Sequence, residues 1–384
     1  MNKERSKEYN NIKLALGIGE AVLTFVLLLL FIALGYSLGL QIYLSDYILN
    51  RYLLFLAFVL VIGIASSVIF FPLSYYKDFY LEHKYDLSNQ TFWKWIWEDL
   101  KGVLVSTVIG VPILLFFYYS LNTFGNLWWL PFAIILFIVS VVLAQVVPVL
   151  IMPLFYKITP LEDEELKERI KILAQDAGIK VENVYKFNMS KNTKKANAAF
   201  TGLGKTKRIL LGDTLLDSYS KDQIETVIAH ELGHYRKKHI IKNLIIGTVS
   251  SFLTLFLMAI LYDNSLNWFG FHSIKQISAL PLLALWGMLI GLIQSPLGNI
   301  LSRKFEYEAD QYAIASTKKP LSFISTLEKL TEQNLGDKEP HPFVEWFFYS
   351  HPSIKNRIKA IEKYSTANNI NEEIHTGNST KEAE

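Results

Sequence analysis

The 384-residue chain has no cysteine, which excludes disulfides, iron–sulfur clusters, cysteine-ligated zinc fingers and thiol catalysis. Charge is scarce: 19% of residues are charged, against roughly 25% in an ordinary soluble domain. Neither sign dominates, with 38 basic and 35 acidic residues giving a net charge of +3. Nucleic-acid binding needs a concentrated basic face, so no nucleic-acid partner is expected. No internal repeat is visible. What the chain does have is apolar surface, 51% hydrophobic residues and a mean hydropathy of +0.25. That composition predicts a mainly α, polytopic membrane protein with the lipid bilayer as one of its partners.

A helix needs about 20 apolar residues to cross roughly 30 Å of hydrocarbon. Six segments approach that length: 14–40, 52–75, 103–120, 127–148, 240–261 and 280–301. The first is too long for a cleaved signal core and reads as a retained signal anchor. The third is short and carries Pro112. Lys and Arg alternate between connections: Lys3, Arg5, Lys7 and Lys13 before the first span, Arg51 alone after it, then Lys77, Lys84, Lys94 and Lys101. Residues 121–126 carry none, 157–239 are rich, 262–279 hold Lys275 alone, and the C-terminal part is rich again. Positive charge stays inside. The pattern therefore predicts a multi-pass protein with both termini in the cytoplasm, in the cell membrane if the source is prokaryotic.

These spans divide the chain into a four-span N-terminal membrane region (1–156), a cytoplasmic catalytic segment (157–239), a transmembrane hairpin (240–301), a second catalytic segment (302–364) and a polar, disordered tail (365–384). Residues 161–178 show helical amphipathicity. Short β-type runs follow at 183–189, 197–203 and 208–211, separated by Lys, Asn and Gly. The soluble part thus reads as an α+β region, whose zincin-like catalytic character rests on its His-Glu-x-x-His helix. Within the spans, Glu20 and Gln145 need a cavity or a partner.

The decisive stretch is Val227-Ile-Ala-His-Glu-Leu-Gly-His-Tyr. His230 and His234 lie four residues apart, about 40° around a helix, so both imidazoles leave one face and can bind one zinc ion. Glu231 sits beside the metal and can take a proton from zinc-activated water, then return it to the leaving amine. With 8 histidines in the chain, chance would supply His-Glu-x-x-His about 0.01 times. Catalytic zinc needs a third protein ligand. His239 is nine residues after His230, about 180° around a continuous helix, which predicts an interfacial residue pointing away. A metzincin would have Gly at 237 and His at 240, where this chain has Lys237 and Ile240. The better candidate is Glu306, in Ser302-Arg-Lys-Phe-Glu-Tyr-Glu-Ala-Asp. Asp310 shares its face and can orient a ligand histidine through the second ring nitrogen. Glu308, about 200° away, is expected to face elsewhere.

These motifs are similar to those of the integral-membrane type I CAAX prenyl endopeptidases, zinc proteases with His-Glu-x-x-His and a later Glu-x-x-x-Asp. The likeness is carried by "VIAHELGHYRKKH", "SRKFEYEADQYA", "YDLSNQTFWKWIWEDLKG" and "SHPSIKNRIKAIE", and runs from the first span to about residue 364. Eukaryotic members have seven spans, whereas this chain reads as a six-span, prokaryotic-like member without an additional N-terminal helix. The resemblance implies that Asn197, Ala198, Ala199 and Phe200 form a substrate-binding edge strand, which can hold a peptide through main-chain hydrogen bonds. It implies that His351 donates to the oxyanion of the transition state. Arg357, six residues on and grouped with the substrate-binding residues, is expected to anchor the segment that carries His351.

The expected activity is a zinc metalloendopeptidase with one Zn2+ per chain, hydrolysing peptide or protein substrates at the cytoplasmic membrane face. CAAX-type C-terminal processing, with a prenylated substrate, is what the resemblance implies. A membrane quality-control protease of the heat-shock type is the alternative. A metal-binding transporter would show repeats or paired broken helices, and a scaffold would lack Glu231 or a ligand.

Overall fold

The computed structural model describes residues 3–178, 184–201 and 208–370. Among the described residues, six helical segments are long and apolar enough to cross a membrane: Glu4–Ala33, Arg51–Lys84, Phe92–Leu127, Trp129–Phe155, His239–Phe269 and Ile277–Thr317. Four of them build the N-terminal region. Helix α1 (Lys3–Ala33) ends earlier than the apolar run suggests. Gly35, at φ 76°, turns the chain into a separate short helix α2 (Tyr36–Ser45). Such a left-handed turn suits a residue without Cβ. Helix α2 packs back on the sixth span's approach, where the Ser278 amide donates to Gln41 Oε1 at 2.6 Å.

Helix α3 (Arg51–Ser74) starts on Asn50, whose side chain accepts from the amides of Tyr52 and Leu53. It passes through a wide π-turn, Tyr75–Tyr80, into the short α4 (Leu81–Lys84). There Lys77 meets Glu20 of α1 at 2.6 Å, giving that carboxylate its partner. Helix α5 (Phe92–Phe124) runs unbroken through Pro112, so the third span is longer than its apolar core. Helix α6 (Trp129–Val146) continues through a π-turn (Val147–Ile151) into α7 (Met152–Phe155).

The soluble region follows as β1 (Ile158–Pro160), α8 (Glu164–Asp176), β2 (Val184–Phe187), β3 (Ala198–Thr201), β4 (Arg208–Gly212), α9 (Asp213–Ser218) and α10 (Lys221–Arg236). Expected strand residues 183, 202 and 203 lie outside the described residues. The sheet order is β1-β2-β4-β3, with β2 parallel to β4 and the other pairs antiparallel. Strand β3 is therefore an edge. Helix α8 buries Leu166, Ile170, Leu173 and Ala174, the stripe its spacing foretold.

Helix α11 (His239–Ser265) is the fifth span and α12 (Pro281–Thr317) the sixth. At 37 residues and 1.5 Å per residue, α12 is roughly 55 Å long. It crosses the apolar layer and continues, without a break at 301, into the soluble core. Helices α13 (Pro320–Gln333), α14 (Pro342–Phe348) and α15 (Ile354–Ala367) close the fold. The expected tail boundary is too early, because α15 continues past Ser365 and Ile370 is buried in the catalytic core. The rest of that tail, 371–384, lies outside the described residues.

Of the four apolar cores among the described residues, two are large. One joins α8, the sheet, α10, the end of α12, α13 and α15. The other gathers Phe55, Phe58, Tyr118, Trp128 and Tyr262. Between them many span side chains, such as Val68, Val108 and Ile293, face outward, as lipid-facing residues must.

Candidate active site

Helix α10 is set by a capping box. Ser220 Oγ accepts from the Gln223 amide while Gln223 Oε1 accepts from the Ser220 amide. Its buried face carries Ile224, Val227, Ile228 and His230 against the core. It packs along the C-terminal end of α12, and the approach is close because Gly233 has no Cβ. One built there would lie 3.0 Å from the Cα and carbonyl oxygen of Ala309.

That approach joins the two motifs. His230, His234 and Glu306 each turn one ligand atom to a common point, all within 4.8 Å of one another. His230 Nε2 is 3.4 Å from Glu306 Oε2, and His234 Nε2 is 3.3 Å from Oε1. The other nitrogen of His230 faces Asp310 Oδ1 at 2.9 Å. A carboxylate only accepts, so Nδ1 carries the proton and Nε2 presents its lone pair to the cluster. Glu306 Oε2 is buried and has no hydrogen-bond partner. Lone pairs facing a carboxylate around an unsatisfied buried oxygen are the donor set of a metal site. Burial opposes charge on His230, but the carboxylates of Asp310 and Glu306 beside it outweigh burial and lift its pKa to about 9. The pocket attracts positive charge.

Glu231 is half-buried beside this cluster, and among the described residues no hydrogen bond engages it. Its carboxylate is free to act on water. His351 sits on the loop between α14 and α15 with its side chain 66% exposed, yet its Nε2 reaches 3.6 Å from Glu306 Oε1. Ser350 Oγ lies 3.0 Å from its Nδ1. Arg357, from the first turn of α15, gives two nitrogens to Asp310, Nη2 at 2.5 Å from Oδ1 and Nε at 2.9 Å from Oδ2. Its Nη1 lies 3.9 Å from Glu306 Oε2. Arg357 thus braces the carboxylate that braces His230.

Asn197 to Phe200 lead into and along β3, whose outer edge pairs with no strand among the described residues. Phe200 packs on Tyr235 of α10, ring centroids 5.3 Å apart. Asn334 clamps the entry to the strand, accepting from the Ala196 amide at 2.9 Å and donating to its carbonyl at 3.2 Å.

The expectation for His239 needs correction. Lys238 adopts φ 58°, breaking the helix between α10 and α11, so the arc of a continuous helix does not apply. The turn brings His239 back onto the site, 1% exposed, with Nδ1 3.0 Å from His234 Nδ1. Its Nε2 lies 3.0 Å from Glu308 Oε2. Glu308 does face away from the cluster, as expected, but toward His239. Sequence reasoning missed this pair, and Gly233 and Asn334 with it. The available signals were the third histidine after His-Glu-x-x-His and the Glu at 308.

Residues 160–365 match the profile of peptidase family M48, and residues 2–157 that of the CAAX prenyl protease N-terminal region with five membrane helices. CAAX prenyl protease 1 of Saccharomyces cerevisiae is 34% identical over 81% of this chain and 72% of its own. An uncharacterized metalloprotease of Bacillus subtilis, YhfN, is 30% identical over 94% of this chain and 86% of its own. The crystal structure of S. mikatae Ste24p superposes with a TM-score of 0.84 at 30% identity, covering 94% of this chain and 89% of that one. M48 peptidases are metal-dependent, and the His230, His234 and Glu306 cluster fits a metal ion. The chain belongs to peptidase family M48 and is a multi-pass integral membrane metalloendopeptidase.

Proposed function

We propose that this protein is a zinc-dependent endopeptidase that cuts C-terminally prenylated, CAAX-type peptides at the cytoplasmic face of the membrane. The observation that carries the reading is the meeting of His230, His234 and Glu306 beside an unengaged Glu231. Two imidazoles and one carboxylate suit zinc with a position left open for water. When bound, zinc supplies Lewis acidity toward the scissile carbonyl and water. Glu231 takes the proton of the attacking water and delivers it to the leaving amine. His351 Nε2 donates to the developing oxyanion, with Ser350 steadying the ring through Nδ1. The peptide lies as a further strand on β3, held by main-chain hydrogen bonds along 197–200. Asp310 and Arg357 keep His230 in place.

The substrate class is supported by an apolar cavity of about 720 Å³ between α1 and α12, lined by Leu14, Ile18, Val22, Phe25, Leu292 and Tyr349 among others. Tyr349 is two residues from His351, so a lipid chain on the substrate has an apolar bed close to the reacting bond. The name of the yeast relative points the same way. Sidedness is supported by Asn10 of α1, which donates to the Leu335 carbonyl at 2.6 Å and so places the N-terminus with the catalytic core. The positive-inside pattern puts both in the cytoplasm.

The test uses detergent-purified wild type beside Glu231→Ala. Zinc per chain is measured, together with cleavage of a quenched-fluorescence peptide with and without a C-terminal prenyl-cysteine. Zinc in both proteins, cleavage in wild type alone and a prenyl preference are expected. Equal cutting of both peptides would favour membrane quality control. A wild type that holds no zinc and cuts nothing would end the reading.

A further inference from the structure

We propose that His239 and Glu308 are positioning residues that hold His234 in the one tautomer able to bind the metal. The inference rests on the zinc-site reading above, and it adds a relay that the sequence motif does not contain.

The chain of contacts runs outward from the cluster. His234 Nε2 faces Glu306, and its Nδ1 lies 3.0 Å from His239 Nδ1. Two ring nitrogens at that distance share one proton, so one donates and the other accepts. The far end decides which. His239 Nε2 lies 3.0 Å from Glu308 Oε2, and a carboxylate can only accept. Lys242 stands 3.7 Å from the same oxygen and favours the charged carboxylate. In the neutral His239 ring the proton is therefore on Nε2 and Nδ1 accepts. His234 must then carry its proton on Nδ1, which leaves the Nε2 lone pair aimed at Glu306 and the metal.

His239 is well fixed for this role. It is buried, and its ring stacks on Phe305 with centroids 4.3 Å apart and 12° between planes. Phe305 precedes Glu306 on α12, so the same turn that carries a ligand also carries the ring support and, three residues on, Glu308. The left-handed Lys238 is what swings His239 into reach. His230 is held by Asp310 and Arg357 on the opposite flank. Each ligand histidine thus has its own carboxylate, one in direct contact and one through a second histidine.

The experiment measures zinc affinity of the full-length protein in detergent by competition with a chromophoric chelator. His239→Phe keeps an aromatic ring over Phe305 but cannot accept from His234. Zinc affinity is expected to fall about 10- to 100-fold, the usual effect of losing such a support. His239→Asn keeps an acceptor near the Nδ1 position and should recover part of the loss. Glu308→Gln, whose amide oxygen still accepts, should bind zinc near the wild-type level, whereas Glu308→Leu should follow His239→Phe. Glu308 is 28% exposed, so its variants decide the matter if a buried His239 variant does not fold. Wild-type affinity in both His239→Phe and Glu308→Leu would overturn the proposal. So would equal losses in Gln and Leu, or in Asn and Phe, because packing alone would then explain them. His234→Ala separates the two levels: full zinc in that variant defeats the zinc-site reading itself, while its loss beside a normal His239→Phe defeats only the relay.

Discussion

Replacing Gly233 by alanine should disable the metal site without touching any ligand. The added Cβ would lie 3.0 Å from the Cα and carbonyl oxygen of Ala309 and 3.1 Å from Tyr312 Cβ. Contacts this short are tighter than ordinary packing, so α10 and α12 must part by a few tenths of an ångström. Overpacking of this kind costs about 1–3 kcal/mol. The same parting acts on the distances of 3.3 and 3.4 Å between the histidines of α10 and Glu306 of α12. A metal site tolerates about 0.2 Å, so a displacement of a few tenths of an ångström exceeds that tolerance. Zinc affinity should drop by about 100-fold, and with it about 2.7 kcal/mol of metal-dependent stabilisation at saturating zinc. Zinc retained after dialysis against a chelator, and melting curves with and without added zinc, read both effects. Gly247→Ala in α11, with no atom within 4 Å of the new Cβ, is the matched control. Ala309→Gly should give no rescue, since both of the 3.0 Å contacts are to backbone atoms. A Gly233→Ala protein that retains zinc and melts like wild type would refute the reasoning.

Three further outcomes are expected. His351→Ala should lower kcat by about 10²–10³ while zinc content stays at the wild-type level, as expected for an oxyanion donor; a change in zinc content would place it among the ligands instead. Arg357→Ala strips the buried Asp310 of two of its three nitrogen partners, leaving His230 Nδ1, and should cost about 3–5 kcal/mol, seen as a large fall in thermal stability; a shift within error would show that Asp310 is satisfied by His230 alone. Asp222 is held below the usual carboxylate range, chiefly by its hydrogen bond from Lys319. A lowered native pKa gives stability that is present above the unfolded value and lost as pH falls through the native one. Below about pH 4, wild type should therefore lose more stability than Lys319→Ala. Both groups are partly exposed, so the difference should be on the order of 0.5 kcal/mol.

The sequence by itself determined the membrane-competent spans and the residues that could hold a metal. Hydropathy over 20-residue windows needs no tertiary information, because lipid faces the residues of a span whichever neighbour it has. The four-residue spacing of His230 and His234 lies within one helix, so its geometry follows from helical periodicity alone. Glu306 and Asp310 could be paired for the same reason. Tertiary structure decided everything that crosses between helices. The close approach of α10 and α12 depends on Gly233 meeting the backbone of Ala309, 76 residues away and past a membrane hairpin. Arg357 finds Asp310 only because α15 folds back on α12. His239 defeated the periodic reading for a local reason, a left-handed Lys238 that ends one helix and starts another. A helical wheel assumes an unbroken axis, and one residue at positive φ turned a histidine expected at the membrane edge into the partner of a ligand.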